Sequence, residues 1–551
     1  MIRTLLAAPL MFGAALIASP VLADTLVYNV DGVTIDENGD VKRFTSLVFD
    51  DDGIITHTLE RGEERPEDID FAMDGAGQVM LPGMIDAHVH VMGIGVGALT
   101  LDLSDTNSLE EALAKIALFA EENPGRPWIL GRGWNQEKWG LGRFPTAAEL
   151  DAVVSDRPVW LSRVDGHASW ANTMAIEEAG VTAETRDPEG GRIIRTASGA
   201  PEGVFVDNAE TLVNSIVPAP RPEDRDAALA MAQERLLANG ITAVADMGIG
   251  IEDWQTFRRA GDNGTLRIRI MAYANSVESM ELIGGPGPTP WLYEDRLRMG
   301  GIKIYVDGAL GSRGAILKEP YDDEPGTSGL ALITPAQLRN RMSLAALNNF
   351  QTAVHAIGDA ANADVLLAIA ELSETYTGDR RWRIEHAQIV DVEDLARFGE
   401  HGVIASMQPL HQTSDRTMAE ARLGEDRLGG AYAWRSVLEV GGRLAFGSDA
   451  PVEPADAFAG LAVAISRTDA DGQPFGGWRS QEAINRQQAL AAFTSDAAFA
   501  GFADGRFGRL IPGERADFLF VDRDPMLASP TDIRETEIRE VWVGGQRVFA
   551  R

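Results

Sequence analysis

Leu81-Pro-Gly-Met-Ile-Asp-Ala-His-Val-His-Val91 has an apolar lead-in that predicts a buried strand, and His88 and His90 stand at its end. Residues two apart on a strand point to one face. The two imidazoles therefore project together, as two ligands of one metal ion do. A His-x-His pair on a strand is also a common surface feature, so the pair alone leaves both readings open. The rest of the chain decides between them.

Downstream, helices and strands alternate. Residues 221–238 form an amphipathic pattern with Pro222, Glu223 and Asp224 in the first turn; Asn239-Gly240 stops it, and 241–246 reads as a strand. Thr334 and Pro335 open another helix, with Leu338, Met342 and Ala345 as its apolar stripe, before a strand at 351–355. A third unit runs from 391 through Gly402 to a strand at 403–407. Repeated helix–Gly–strand units predict a parallel βα architecture, closed at this length into an α/β (β/α)8 TIM-like barrel. Eight barrel strands are expected, ending near His90, Asp246, Ala274, Val306, His355, His386, Gln408 and Asp449. The segment 93–220 has strands of its own and reads as a large insertion after barrel strand 1.

Both ends of the mature chain read as β structure. Residues 25–50 alternate apolar and polar side chains, with turn signals at Asp31-Gly32 and Asn38-Gly39, and strands recur at 517–521 and 540–548. The expected organisation is a composite β-sandwich domain from 24–78 and 509–551, around a barrel over 79–508. Residues 1–23 read as a signal peptide: Arg3, an apolar core from Leu5 to Ile17, and a cut after Ala23. The apolar run is interrupted by Pro9, Gly13 and Pro20 and is short for a membrane span. With no cysteine in the chain, disulfides and thiolate ligands are excluded, and a periplasmic or otherwise exported location is expected. A formal charge of −34 opposes nucleic acid and anionic membrane as partners, leaving a small molecule as the expected one. A homodimer is left open.

The polar residues fall at the strand ends. His88 and His90 close strand one, Lys303 lies in strand four, His355 and His386 end strands five and six, and Asp449 ends strand eight. Active sites of such barrels lie at the C-terminal ends of the strands, so these six side chains can converge. Nitrogen and oxygen donors of this kind suit Zn²⁺, with Mn²⁺ or Fe²⁺ as alternatives. Lys303 is costly to bury as a cation, so its pKa should fall; a neutral amine can take up CO₂ to become a carbamate. The alternative is an ion pair with Asp246 or Asp307.

The motifs resemble those of the amidohydrolase superfamily over nearly the whole mature chain. Pro82-Gly-Met-Ile-Asp-Ala-His-Val-His90 is similar to its first-strand signature, and His355, His386 and Gly447-Ser-Asp449 to its later ligands. Residues 489–498 and 508–518 resemble its run back into the β domain. The run Lys303-Ile-Tyr-Val-Asp-Gly-Ala-Leu-Gly-Ser-Arg313, with His355-Ala-Ile-Gly-Asp359 and the long insertion, is similar to amidohydrolase family 3, a branch that includes N-substituted formamide deformylase. The resemblance implies a carboxylated Lys303 and one or two divalent ions, with His88, His90 and Asp449 on one and His355 and His386 on the other. It implies hydrolysis of an amide-type, non-peptide C–N bond by metal-activated hydroxide, Asp449 carrying the proton. The Glu of the deaminases' fifth-strand His-x-x-Glu is missing here, which disfavours ring deamination. Lactone, cyclic amide or ester hydrolysis is the alternative, and from another class, a non-catalytic ligand-binding member of the fold.

Four further residues are candidates for substrate contact. His167 ends an inserted strand, Trp134 is expected to wall an apolar leaving group or else to sit in the insertion's core, Arg313 to clamp a substrate carboxylate or form a salt bridge, and His411 to line the mouth. His401 and His57 read as structural and surface residues, and Asp359 as a helix N-cap. The Gly93-Ile-Gly-Val-Gly97 run lacks the context of a dinucleotide loop.

Overall fold

The computed structural model describes residues 24–551, and the expected signal peptide lies outside the described residues. Eight parallel strands follow one another in chain order: β1 (Met84–Val89), β2 (Ile241–Ile249), β3 (Arg269–Ala274), β4 (Leu297–Tyr305), β5 (Gln351–Ala356), β6 (Arg383–His386), β7 (Ile404–Met407) and β8 (Arg443–Phe446). A parallel bridge from Val89 to Ala450 brings β8 back to β1 and nearly closes the barrel. These are the eight strands that the sequence predicts. β1, β3 and β5 are buried along their whole length, as strands covered on both faces must be. The helix Pro335–Leu347 begins as expected, with Thr334 accepting from the Gln337 N–H. Among the described residues no helix is long and apolar enough to cross a membrane.

The opening stretch is two strands rather than one. Val79–Pro82 pairs antiparallel with Phe518–Val521, while β1 belongs to the barrel. Gly83 separates them, because a Cβ there would lie 2.1 Å from Thr242 Oγ1. Phe518–Val521 continues into the hairpin Ile538–Val543/Gln546–Ala550, and Val79–Pro82 lies beside Thr25–Ile35, so both ends of the described chain share one eight-stranded sheet. Asp31-Gly32 makes no turn. It is an irregularity inside Thr25–Ile35, with Gly32 under the Phe44 ring. Likewise Asp359 is the first residue of its helix, behind the N-cap Gly358, rather than the cap itself.

Leu101–Asp102 to Pro201–Asp207 supply the six strands of a separate sheet, placed between β1 and β2 in the chain. The glycine run after β1 lies in the helix Val91–Leu99, where it serves close packing: a Cβ on Gly95 would stand 1.9 Å from the Ala228 carbonyl of the helix Pro222–Ala238.

The two-ended sheet is fastened to the start of the barrel strands, away from their C-terminal ends. Arg269, the first residue of β3, grips Asp517 through Nε and Nη2 at 2.6 and 2.8 Å, and both side chains are buried. Asp517 also accepts from the Gly544 N–H at 2.7 Å. Arg269→Ala would strand a buried carboxylate and is expected to destabilise the protein by about 3–5 kcal/mol. Chemical denaturation with an unchanged midpoint would show that the pair does not fasten the sheet.

Candidate metal centre

The site is assembled where the last strand meets the first. Asp86 Oδ1 accepts from the Ser448 and His88 N–H groups at 2.9 and 3.2 Å, and Oδ2 from the Ser448 hydroxyl at 2.5 Å. Burial pushes the Asp86 carboxyl up to about 7, against those donors. The Asp449 N–H donates to the His88 carbonyl at 2.7 Å, and the His90 N–H to the Ala450 carbonyl at 2.8 Å. Residue 447 must be glycine: a Cβ would lie 2.5 Å from the His88 nitrogen. Asp449 and His386 both take left-handed backbone angles, φ 59° and 73°. Few non-glycine residues do so, and here it turns their side chains at the strand ends.

All six expected side chains meet there. His90 Nε2 and His88 Nε2 lie 3.1 and 3.4 Å from Asp449 Oδ1. The His386 ring is 4.7 Å from that of His88 and 4.5 Å from that of His355. Lys303 Nζ is 3.2 Å from His88 Nε2 and stands 4.6 Å above the Tyr305 ring. His88, His386 and Asp449 each offer a ligand atom within 4.8 Å of the others, all buried.

The orienting roles of three residues, Glu385, Arg383 and Gln408, escaped the sequence reading. Glu385 Oε2 accepts from His88 Nδ1 at 2.7 Å, which directs Nε2 towards Lys303 and Asp449. Arg383 holds Glu385 from Nε and Nη2 at 2.8 and 3.1 Å, and itself reaches Tyr273, Ser406 and the Ala87 carbonyl. Burial opposes a charged Glu385, but Arg383 and His88 hold it down at about 2. Gln408 lies 2.9 Å from His386 Nδ1 and plays the same part for that ring. The signal was available for Glu385: Arg383 and Glu385 are two apart on β6 and so face the same way.

Lys303 pairs with neither expected carboxylate. Asp246 accepts from the Val91 N–H, and Asp307 from the Ile316, Ile357 and Gly358 N–H groups. Burial lowers Lys303 to about 8, with Glu385 and Asp449 resisting. Burial, with Lys303 adding to it, lowers His88 to about 4; His355 and His386 fall well below the usual range, mainly through burial. Burial works against a charged Asp449, but the neighbouring imidazoles hold it ionised. The residues fit a divalent cation. His355 Nε2 and Asp449 Oδ1 are sealed from solvent without a hydrogen-bond partner, and neutral imidazoles beside a carboxylate are the protonation states a metal requires.

A cavity of about 980 Å³ opens over the cluster, bordered by His355, His386, His411 and Asp449 and by His167 from the insertion. His411 Nε2 is 3.8 Å from Asp449 Oδ2, and His167 packs 5.2 Å from the His355 ring while its Nδ1 donates to Asp207 at 2.7 Å. Burial disfavours a charged His167, but Asp207 raises its pKa overall. Thus six of the chain's eight histidines gather at one place.

Trp134 and Arg313 do not face the cavity. Trp134 is fully buried in the insertion's core, its N–H on the Leu161 carbonyl at 2.7 Å and its ring edge-on to Trp170. The strand Ile129–Trp134 slips register between Arg132 and Trp134, at Gly133 with φ 93°, and that extra residue carries the indole away from the cavity side. Arg313 is held by Asp323 at 2.9 Å and Glu324 at 3.2 Å, the salt-bridge alternative.

A parallel barrel with buried imidazoles, a lysine and a carboxylate at its C-terminal rim defines the class of metal-dependent (β/α)-barrel hydrolases. The chain belongs to the amidohydrolase family, whose model matches residues 72–549. It is 32% identical over 523 residues to YtcJ of Bacillus subtilis (strain 168), covering 92% of this chain and 96% of that one. It is 26% identical over 546 residues to the N-substituted formamide deformylase of Arthrobacter pascens, covering 96% and 99%. Among solved structures, an uncharacterized metal-dependent hydrolase from Pyrococcus horikoshii OT3 superposes with a TM-score of 0.73 at 26% identity, covering 92% of this chain and 99% of that one.

Replacing Glu385 by Gln keeps the shape but weakens the hold on His88. Metal affinity, read by chelator competition, is expected to fall about 10–100-fold. Unchanged affinity would remove Glu385 from the orienting role.

Proposed function

We propose that the protein hydrolyses an amide-type, non-peptide C–N bond of a small molecule, with Asp449 as the proton carrier. The observation that carries this reading is the position of Asp449. It borders the cavity, held ionised, with Oδ1 facing His88 and His90 and without a hydrogen-bond partner on that oxygen. His88, His90 and Asp449, with His355, His386 and Lys303, would hold one or two divalent ions, Zn²⁺ by donor type, Lys303 as its carbamate if two ions are bridged. Such an ion, when bound, polarises the carbonyl and makes water a nucleophile at neutral pH.

The remaining work falls to the chain. Asp449 accepts the proton of the attacking water and delivers it to the leaving nitrogen, which departs as an amine. Its left-handed backbone and the bond from its N–H to the His88 carbonyl keep the carboxylate in place during transfer. His167, anchored by Asp207, and His411, beside Asp449, border the space above the bond to be cut. The full-length match to an N-substituted formamide deformylase supports an amide rather than an ester substrate.

Asp449→Asn is expected to keep much of the bound metal and lose about 10²–10⁴-fold in kcat. Metal analysis alongside turnover of matched amides and esters checks this. An undiminished kcat excludes Asp449 as the carrier, and turnover of esters without amides excludes the C–N assignment.

A further inference from the structure

The expected carboxylate clamp, Arg313, is occupied by Asp323 and Glu324. A different guanidinium is free. Arg132 borders the same cavity as Asp449, on the strand Ile129–Trp134 of the insertion. Its Nη2 donates to the Val164 carbonyl at 3.0 Å, and that is its one side-chain hydrogen bond among the described residues. Its other nitrogens are not among the sealed polar atoms, so their N–H groups stay open to an incoming acceptor. Among the described residues no carboxylate forms an ion pair with it; burial lowers its pKa, while Asp102, Asp449 and Asp165 nearby favour its charge.

The other buried cations of the cavity are spent on protein partners. Arg163 is tied to Asp165 and Gln136, and Arg422 to Asp323 and Glu137. Lys138, exposed at the rim of the same segment, donates to the Ser104 carbonyl and adds a second positive charge on that side. Space for the Arg132 side chain is built in: a Cβ on Gly97, in the helix that follows His90, would stand 3.1 Å from Arg132 Cδ. Gly133 steers Trp134 into the core and leaves Arg132 at the cavity. A half-buried guanidinium with unspent donors is a receptor for a planar oxyanion, because it meets a carboxylate through two parallel N–H groups.

We propose that Arg132 binds a carboxylate carried by the substrate, so that the preferred substrates are N-acylated amino acids or similarly anionic amides. This rests on the amide-hydrolase reading. One molecule would then span the cavity, its scissile bond at Asp449 and its carboxylate at Arg132. On another part of the wall, Asp415 accepts the Tyr432 hydroxyl at 2.8 Å, and burial pushes both Asp415 and Glu453 up, towards the neutral acid. A cationic substrate that drew those carboxyls into the ionised form would pair with them instead, and the experiment includes that alternative.

The metal-loaded enzyme is tested on N-formylphenylalanine, neutral N-formylphenethylamine and cationic N-formyl-1,4-diaminobutane, as wild type, Arg132→Met and Arg132→Lys. The expected result is a wild-type preference for the anionic amide of roughly 10-fold or more in kcat/KM. In Arg132→Met that preference collapses towards unity, mainly through KM, while Arg132→Lys keeps part of it and metal content is unchanged. A wild-type preference for the neutral or cationic amide overturns the assignment, as does an equal loss on anionic and neutral amides in Arg132→Met. Binding of the uncleavable pair N-methylsulfonylphenylalanine and N-methylsulfonylphenethylamine, followed by calorimetry, separates this proposal from the reaction itself. If no amide is turned over but the acid still binds about 10-fold more tightly than its neutral partner, and Arg132→Met removes the difference, the carboxylate site stands and the hydrolysis reading falls. Equal binding of the two removes the carboxylate site whatever the turnover.

Discussion

Everything at the rim depends on one seam, where residues 447–450 lie against 86–90. Asp86 bonds Ser448 through both of its oxygens, and the backbones of His88 and Asp449, and of His90 and Ala450, are tied by single hydrogen bonds. The seam does two jobs with the same atoms: it closes the barrel between its last and first strands, and it brings Asp449 to within 3.4 Å of two imidazoles. Gly447 makes the approach sterically possible. Side chains at the seam are largely withdrawn from water, so the low local dielectric both keeps the imidazoles neutral and strengthens the attraction of the cluster for a cation.

Behind this cluster stands a second layer whose role is aim. Arg383, Glu385 and His88 form a chain of charge-assisted bonds inside the barrel, and Gln408 does for His386 what Glu385 does for His88. With one ring nitrogen committed in this way, the other is presented to the centre without searching among rotamers. The insertion supplies the opposite wall. His167 and Arg132 reach the cavity from outside the barrel, on a segment that can vary while the strand-end cluster stays the same.

Much of this was legible in the sequence because strand ends are local events. An apolar run closed by a polar residue, repeated after each helix, gives both the strand count and the residues at the rim, and all six candidate ligands are found together. What depends on irregular or remote geometry was not legible. The sequence leaves Trp134 between the pocket wall and the insertion's core, and a register slip at Gly133 decides for the core. For Arg313 the sequence leaves a substrate clamp and a salt bridge open, and the remote Asp323 decides for the salt bridge. The opening strand looked continuous, yet it changes sheets at Gly83 for lack of room beside Thr242. Glu385 followed from alternation along β6 and was overlooked beside the more conspicuous His386.

The sheet shared by the two ends has a consequence for how the molecule comes into being. The strand Val79–Pro82 leads directly into the first barrel strand, yet its partner Phe518–Val521 is made only after all eight barrel strands. Until then its hydrogen-bonding edge stands bare, and every helix and strand of the barrel must emerge in between. An edge left open so long invites pairing with a neighbouring chain. Completion of the shared sheet thus waits until the barrel strands between its two halves have been made.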